Sequence, residues 1–195
     1  MAFIRRKGSF STPTMTIGGP DRTGPLDTNT IITNSGVMKV GDIVAVTAQA
    51  AGNGHVVRRY NTAGDAIVGV CIGFGRENGA AVAFDSGTND TVTVGATNET
   101  VAKIYAKIDI TPGAQWSAPL SGAVHTTAIA RAGAYTDPDT GTNAGRALET
   151  SMTVSTVQGR GLAILGLDPD GPQTGTSARV LCTIEETIFK AGIGV

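Results

Sequence analysis

Few residues of this chain have the type and spacing that chemistry asks for. It holds two histidines, His55 and His125, and no serine or cysteine nearby in sequence pairs with either as nucleophile and base. The strand-to-helix elbow G-x-S-x-G does not occur. His55 stands close to Arg58 and Arg59 and reads as a solvated strand residue. Gly73, Gly75 and Gly79 are spaced one residue off the dinucleotide fingerprint, and no helical pattern follows them. Asp137-Pro138-Asp139-Thr140-Gly141-Thr142-Asn143 alternates oxygen donors as a calcium loop would, but lacks the central glycine and closing acid of an EF-hand, so a plain turn is expected. Asp168 and Asp170 receive the same reading. Cys71 and Cys182 are far apart without C-x-x-C spacing, which suggests no zinc site. Each lies in an apolar, strand-like setting and is expected as a buried free thiol. No catalytic residue, metal ligand or cofactor is expected, and the chain does not read as an enzyme.

What remains is binding. Arg5-Arg6-Lys7 followed by Phe10 offers a small basic cluster and one aromatic anchor. Trp116, the single tryptophan, is the other large anchor and suits either a core or a subunit interface. A net charge of −1 and a pI near 6.1 argue against nucleic acid as a partner. No apolar run reaches membrane-spanning length, and the first residues lack the apolar centre of a secretory signal. A soluble protein made in a cytoplasm is the expectation, with the two Asn-x-Thr sequons at Asn89 and Asn98 left to chance.

The elements that would carry these residues are strands. Twenty-seven glycines, few leucines and many threonines, valines and alanines favour turns and strands over helix. Residues 101–127 are the clearest unit. Ile104, Ala106, Ile108 and Ile110 alternate with Lys103, Tyr105, Lys107 and Asp109, the period of a half-buried strand. Thr111-Pro112-Gly113 then turns the chain, Trp116 follows, and Leu120-Ser121-Gly122 turns it again. Further strands are expected over 40–46, 55–60, 67–74, 80–84, 91–95, 146–157, 161–167 and 177–187. Residues 123–134 could support a turn or two of helix through their alanines and Arg131, but the threonines and the preceding Gly122 favour strand. Nine or ten short strands at this spacing describe an all-β domain, a small β-barrel or β-sandwich.

Residues 1–36 differ. Pro13, Pro20, Pro25 and Gly18-Gly19 interrupt a polar stretch with no sustained period. Such a segment cannot offset its own ordering entropy, so it is expected either as a frayed terminus or as an extended arm ordered along a partner. The organisation is thus an arm over 1–36, a β body over 37–188 and a loose tail over 189–195.

Five stretches, taken in order, carry a resemblance: VGDIVAV (40–46), IVGVCIGF (67–74), VAKIYAKIDITPGAQWSAPLSGAVHTT (101–127), GRALET (145–150) and ARVLCTI (178–184). Their order resembles the capsid decoration, or cement, proteins of tailed bacteriophages, including a hairpin similar to Gly122-Ala123-Val124-His125-Thr126-Thr127. The chain departs from that pattern where Pro112-Gly113-Ala114 replaces a Gly-Asp turn, and residues 1–36 match only the longer members. The resemblance implies a structural virion protein, made in the host cytoplasm and placed on the outer capsid surface. Its partners would be the major capsid protein and itself, as a homotrimer, with Arg5, Arg6, Lys7 and Phe10 on the capsid-binding arm. Other readings are another phage component, a tail-tube subunit or head-fibre base, or a carbohydrate-binding β module. The last is disfavoured by scarce aromatics.

Overall fold

Alternation of small apolar residues builds this chain into strands, and the places where it breaks decide how they stack. The computed structural model describes residues 5–6, 14–16, 37–46, 57–62, 65–76, 81–93, 104–111, 113–119, 134–138, 161–172 and 178–185. Among the described residues there are twelve strands and no helix: β1 (Arg5–Arg6), β2 (Thr14–Thr16), β3 (Val37–Lys39), β4 (Ile43–Val46), β5 (Val57–Arg59), β6 (Ile67–Arg76), β7 (Thr91–Thr93), β8 (Ile104–Asp109), β9 (Gln115–Pro119), β10 (Ala134–Thr136), β11 (Leu162–Leu167) and β12 (Arg179–Ile184). The fold is all-β. One five-stranded sheet runs β1-β9-β12-β11-β10, a second runs β2-β8-β6-β4-β5, and β3 pairs with β7 in a two-stranded ribbon. Every pairing is antiparallel, and neither large sheet closes into a barrel among the described residues.

Two cores follow from the period of two. Ile43 and Ala45 of β4 join Trp116 and Ala118 of β9, Leu162 and Ile164 of β11, and Val180, Cys182 and Ile184 of β12 in a core between the large sheets. Val44 points the other way, into a second core with Met38, Val68, Cys71, Val92, Ile104, Ala106 and Ile108. The second large sheet is therefore buried on both faces. For this reason β8 is not the half-solvated strand its sequence suggests. Its isoleucine and alanine side faces the second core as expected, but Tyr105 and Asp109 are buried as well and only Lys107 is exposed.

Three bulges correct the alternation where two faces must both be fed. On β6, Val44 and Ala45 pair with Gly69 and Ile67, so Val68 is an extra residue. A second extra residue, Ile72, lies between Cys71 and Gly73 opposite β8, and Leu165 is its counterpart between Ile164 and Gly166 on β11. A bulge leaves its extra residue outside the ladder. Ile72 and Leu165 are 39% and 41% exposed, whereas Val68, the extra residue of the first bulge, is fully buried.

The strand expected over 80–84 does not form at residues 81–84. Asp85 takes over the pairing: its N–H donates to the Thr91 carbonyl (2.8 Å), and its carboxylate accepts from Thr93 N–H (2.9 Å) and Thr93 Oγ1 (2.7 Å). Phe84 is left outside the ladder, edge-on to Phe74 with ring centroids 6.4 Å apart. The strands β3 and β10 were not expected, and the structure places them on the ribbon and on an edge of the first sheet. Residues 146–157, 123–133 and 189–195 lie outside the described residues.

Candidate functional site: the N-terminal seam

The described parts of the N-terminal segment lie on the body. In β1, Arg5 stands opposite Ser117 and Arg6 opposite Trp116; in β2, Thr14, Met15 and Thr16 stand opposite Asp109, Ile108 and Lys107. These two pairings differ in register by one residue. From Arg6 to Thr14 the chain advances eight residues, and from Trp116 back to Asp109 it retreats seven. β1 thus runs antiparallel to β9 and β2 antiparallel to β8, the two pairings offset by one residue. β1 is an edge strand of the first large sheet and β2 of the second.

The corner between β8 and β9 is firmly built. Asp109 Oδ1 accepts from Thr111 N–H (2.9 Å) and Thr111 Oγ1 (2.6 Å), closing an Asx-type turn. Ala114 N–H donates to the Thr111 carbonyl (3.3 Å), and Gly113 sits at φ 70°, which a residue with a Cβ rarely adopts. Behind the corner, a Cβ on Gly69 would stand 2.2 Å from the Asp109 carbonyl oxygen, so β6 can approach β8 this closely only with glycine there. Trp116 is buried in the core between the sheets. Of the basic cluster, Arg5 and Arg6 are brought beside Trp116 and Ser117; Lys7 and Phe10 lie outside the described residues.

Beneath the seam is a buried polar cluster that the sequence did not reveal. Ser117 Oγ donates to Asp168 Oδ2, and Arg179 donates to Ser117 twice, from Nε to Oγ (2.7 Å) and from Nη2 to the carbonyl oxygen (2.6 Å). Asp168 N–H donates to the Arg179 carbonyl (3.0 Å), Asp170 N–H to Asp168 Oδ1 (3.1 Å) and Gly171 N–H to the Asp168 carbonyl (3.1 Å). The expected Asp168–Gly171 turn is present, but its first carboxylate reaches inward to Ser117 of β9, and the Asp168 N–H bonds β12. The serine proton is committed to a carboxylate and its lone pair to a guanidinium, in a group all but closed to solvent. That arrangement suits charge compensation, not nucleophilic attack. It joins β9, β12 and the turn after β11 immediately behind the residue that Arg5 faces. A lone arginine in an otherwise apolar and threonine strand was the available signal.

The other candidates separate. Cys71 and Cys182 are buried free thiols in different cores. Burial pushes both thiols up to about 12; for Cys71 a backbone hydrogen bond at Gly73 opposes this and the nearby Asp42 charge adds to it, while Arg179 opposes it for Cys182. Asp137 of the expected calcium-like loop accepts from Gly161 N–H (3.3 Å), and residues 139–145 lie outside the described residues. Among the described residues, no group of three or more His, Cys, Asp or Glu side chains could hold a metal ion. Gly73 and Gly75 are interior to β6, where the Tyr105 ring covers Gly75. His55 and His125 lie outside the described residues. No helix among the described residues is long and apolar enough to cross a membrane.

No protein-family model, curated protein or solved structure matches this chain.

Proposed function

We propose that this protein is a structural virion component that binds the outer surface of an assembled capsid and clamps neighbouring subunits, as the capsid decoration proteins it resembles do. The observation that carries the reading is the seam. Two short strands of the N-terminal segment pair through their backbones with edges of both large sheets. Recognition by strand addition suits extended polypeptide and is indifferent to small ligands. A body buried on both faces of its middle sheet provides the stiffness that a clamp needs. The partners in this reading are the major capsid protein and further copies of the chain, as a homotrimer. Several modest contacts in one assembly act at high effective concentration, so no single one has to be strong. Arg5 and Arg6 lie on the edge strand of the first large sheet, and Lys7 follows them in sequence.

Co-sedimentation with empty capsid shells tests this directly. The full chain is expected to pellet with shells at saturable, symmetry-related sites, and failure to do so would sink the reading. Triple charge reversal at Arg5, Arg6 and Lys7 to glutamate is expected to weaken the association and make the remainder less salt-dependent. A variant that binds as well as the parent at every salt concentration would remove the basic cluster from the site. Spontaneous growth of the purified protein into open tubes would point instead to a tail-tube subunit.

A further inference from the structure

We propose that β5 is a docking edge for an extended, acidic segment of another polypeptide, which adds to the second large sheet as one more antiparallel strand. β5 (Val57–Arg59) ends that sheet beside β4, and among the described residues no strand lies on its other side. The pairing fixes which of its backbone groups face that side. Arg59 stands opposite Val44 and Arg58 opposite Ala45, and the Tyr60 N–H donates to the Ile43 carbonyl (2.8 Å). Hydrogen-bonded and non-hydrogen-bonded pairs alternate along an antiparallel ladder. Tyr60 and Arg58 therefore turn their backbone groups to β4, while Val57 and Arg59 aim N–H and C=O outward. Donor and acceptor on alternate residues of an edge are what a guest strand pairs with.

Charge selects the guest. Arg58 is already committed: its Nη2 lies 2.6 Å from Asp65 Oδ2 and 3.1 Å from Thr62 Oγ1. Arg59 has no acceptor among the described residues, and its Nε is closed to solvent without a hydrogen bond. A buried donor left unsatisfied is costly, and a carboxylate answers a guanidinium with charge-assisted bonds. Directly opposed residues share one face of a sheet, so a guest carboxylate paired with Arg59 stands on the guanidinium's side. That side belongs to the second core, where Val44 and Val57 are buried. The guest residue two positions along then meets Val57 and is apolar. Edge charges can also serve only to repel pairing, but such charges stand in solvent; Arg58 and Arg59 are half-buried, with Nε closed off in each. A second β5 fits badly as the guest, because a pairing centred on either arginine sets arginine opposite arginine. The inference does not rest on the capsid reading, since β5 is a different edge from β1 and β2.

Fluorescence anisotropy of labelled peptides against the full chain tests it. The probe repeats glutamate-threonine-valine-threonine, which puts glutamate and valine on one face; its control carries lysine for glutamate. The glutamate peptide is expected to bind saturably and the lysine peptide hardly at all. Arg59→Gln should weaken binding roughly tenfold or more, the scale of a hydrogen bond to a charged group, with an unchanged unfolding curve. Methylated peptides separate strand addition from plain charge attraction without altering the protein. N-methylation at glutamate and valine removes the N–H groups that face β5 and should abolish binding, whereas N-methylation at the threonines should leave it. The absence of saturable binding by the glutamate peptide overturns the proposal. So does equal binding by the lysine peptide, by the two methylated forms, or by a folded Arg59→Gln variant.

Discussion

Replacing Arg179 with leucine probes the part of the molecule that its sequence concealed. The guanidinium makes two hydrogen bonds to Ser117, one of them to the hydroxyl that holds Asp168. Leucine keeps the aliphatic bulk of the stem in a buried position of β12 but removes the cation. Asp168 would retain Ser117 and the Asp170 N–H, yet its carboxylate would stay buried without the compensating positive charge. Breaking a buried pair in this way costs about 3–5 kcal/mol. In a chain of this size each kcal/mol lowers the melting temperature by roughly 2–4 °C, so a drop of roughly 6–20 °C is expected. Thermal and urea unfolding of parent and variant measure it, with an unchanged urea slope showing that the same surface is exposed. The double variant Asp168→Asn/Arg179→Leu removes both charges and should be more stable than the sum of the single losses implies, by about 0.5–3 kcal/mol. A single-variant loss below about 1 kcal/mol, or strict additivity, would refute the view that these groups form one buried, mutually compensated unit.

Other outcomes follow from the same geometry. Gly69→Ala should cost about 1–3 kcal/mol or more, because its Cβ would meet the Asp109 backbone oxygen at 2.2 Å, whereas Gly87→Ala, at φ 78° with no neighbour within 4 Å, should cost only the roughly 1–2 kcal/mol of backbone strain; paired denaturation curves rank them. Both thiols should resist a disulfide reagent in the native protein and react at once in denaturant. Because the folded thiols are raised to about 12, more protons are bound folded than unfolded between the unfolded thiol's value, about 9, and that point, so this contribution is intact below pH 9 and lost as pH rises towards 12. Melting temperatures that rose through that window would contradict their burial. Trp116, the only tryptophan, should show blue-shifted fluorescence that moves red on unfolding, and Trp116→Ala should cost about 3–5 kcal/mol. Removing residues 1–16 should leave a folded body that self-associates through the uncovered edges of β8 and β9, seen as added mass in light scattering.

Legibility in the sequence tracks the range over which each feature is decided. The side of β8 formed by Ile104, Ala106 and Ile108 is visible as alternation, and so is the inward row Val180, Cys182 and Ile184 of β12. The Thr111–Gly113 corner is written in residue types with restricted backbones. The burial of Tyr105 and Asp109 is not visible, because nothing in the local period says that a sheet will be covered twice. The strand expected near residue 82 failed because Asp85, an ordinary loop residue by type, satisfies the backbone and side chain of Thr93. Ser117, Asp168 and Arg179 each look unremarkable where they stand; they become a site only when β9, β11 and β12 are adjacent.

By itself the sequence determined the all-β class, most strands of the body, the main corner and the two thiols as apolar interior residues, since these depend on steric and hydrophobic preferences within a few residues of one another. Tertiary structure alone decided the rest: two cores on opposite faces of one sheet, the exposure of Ile72 and Leu165, and the burial of Trp116 between the sheets. It also decided that a segment with no periodicity of its own pairs with residues about a hundred positions away. The reason is physical. Backbone hydrogen bonding is indifferent to side-chain type, so a strand recruited by an open edge needs no pattern of its own; it needs only to be extended, and to be there.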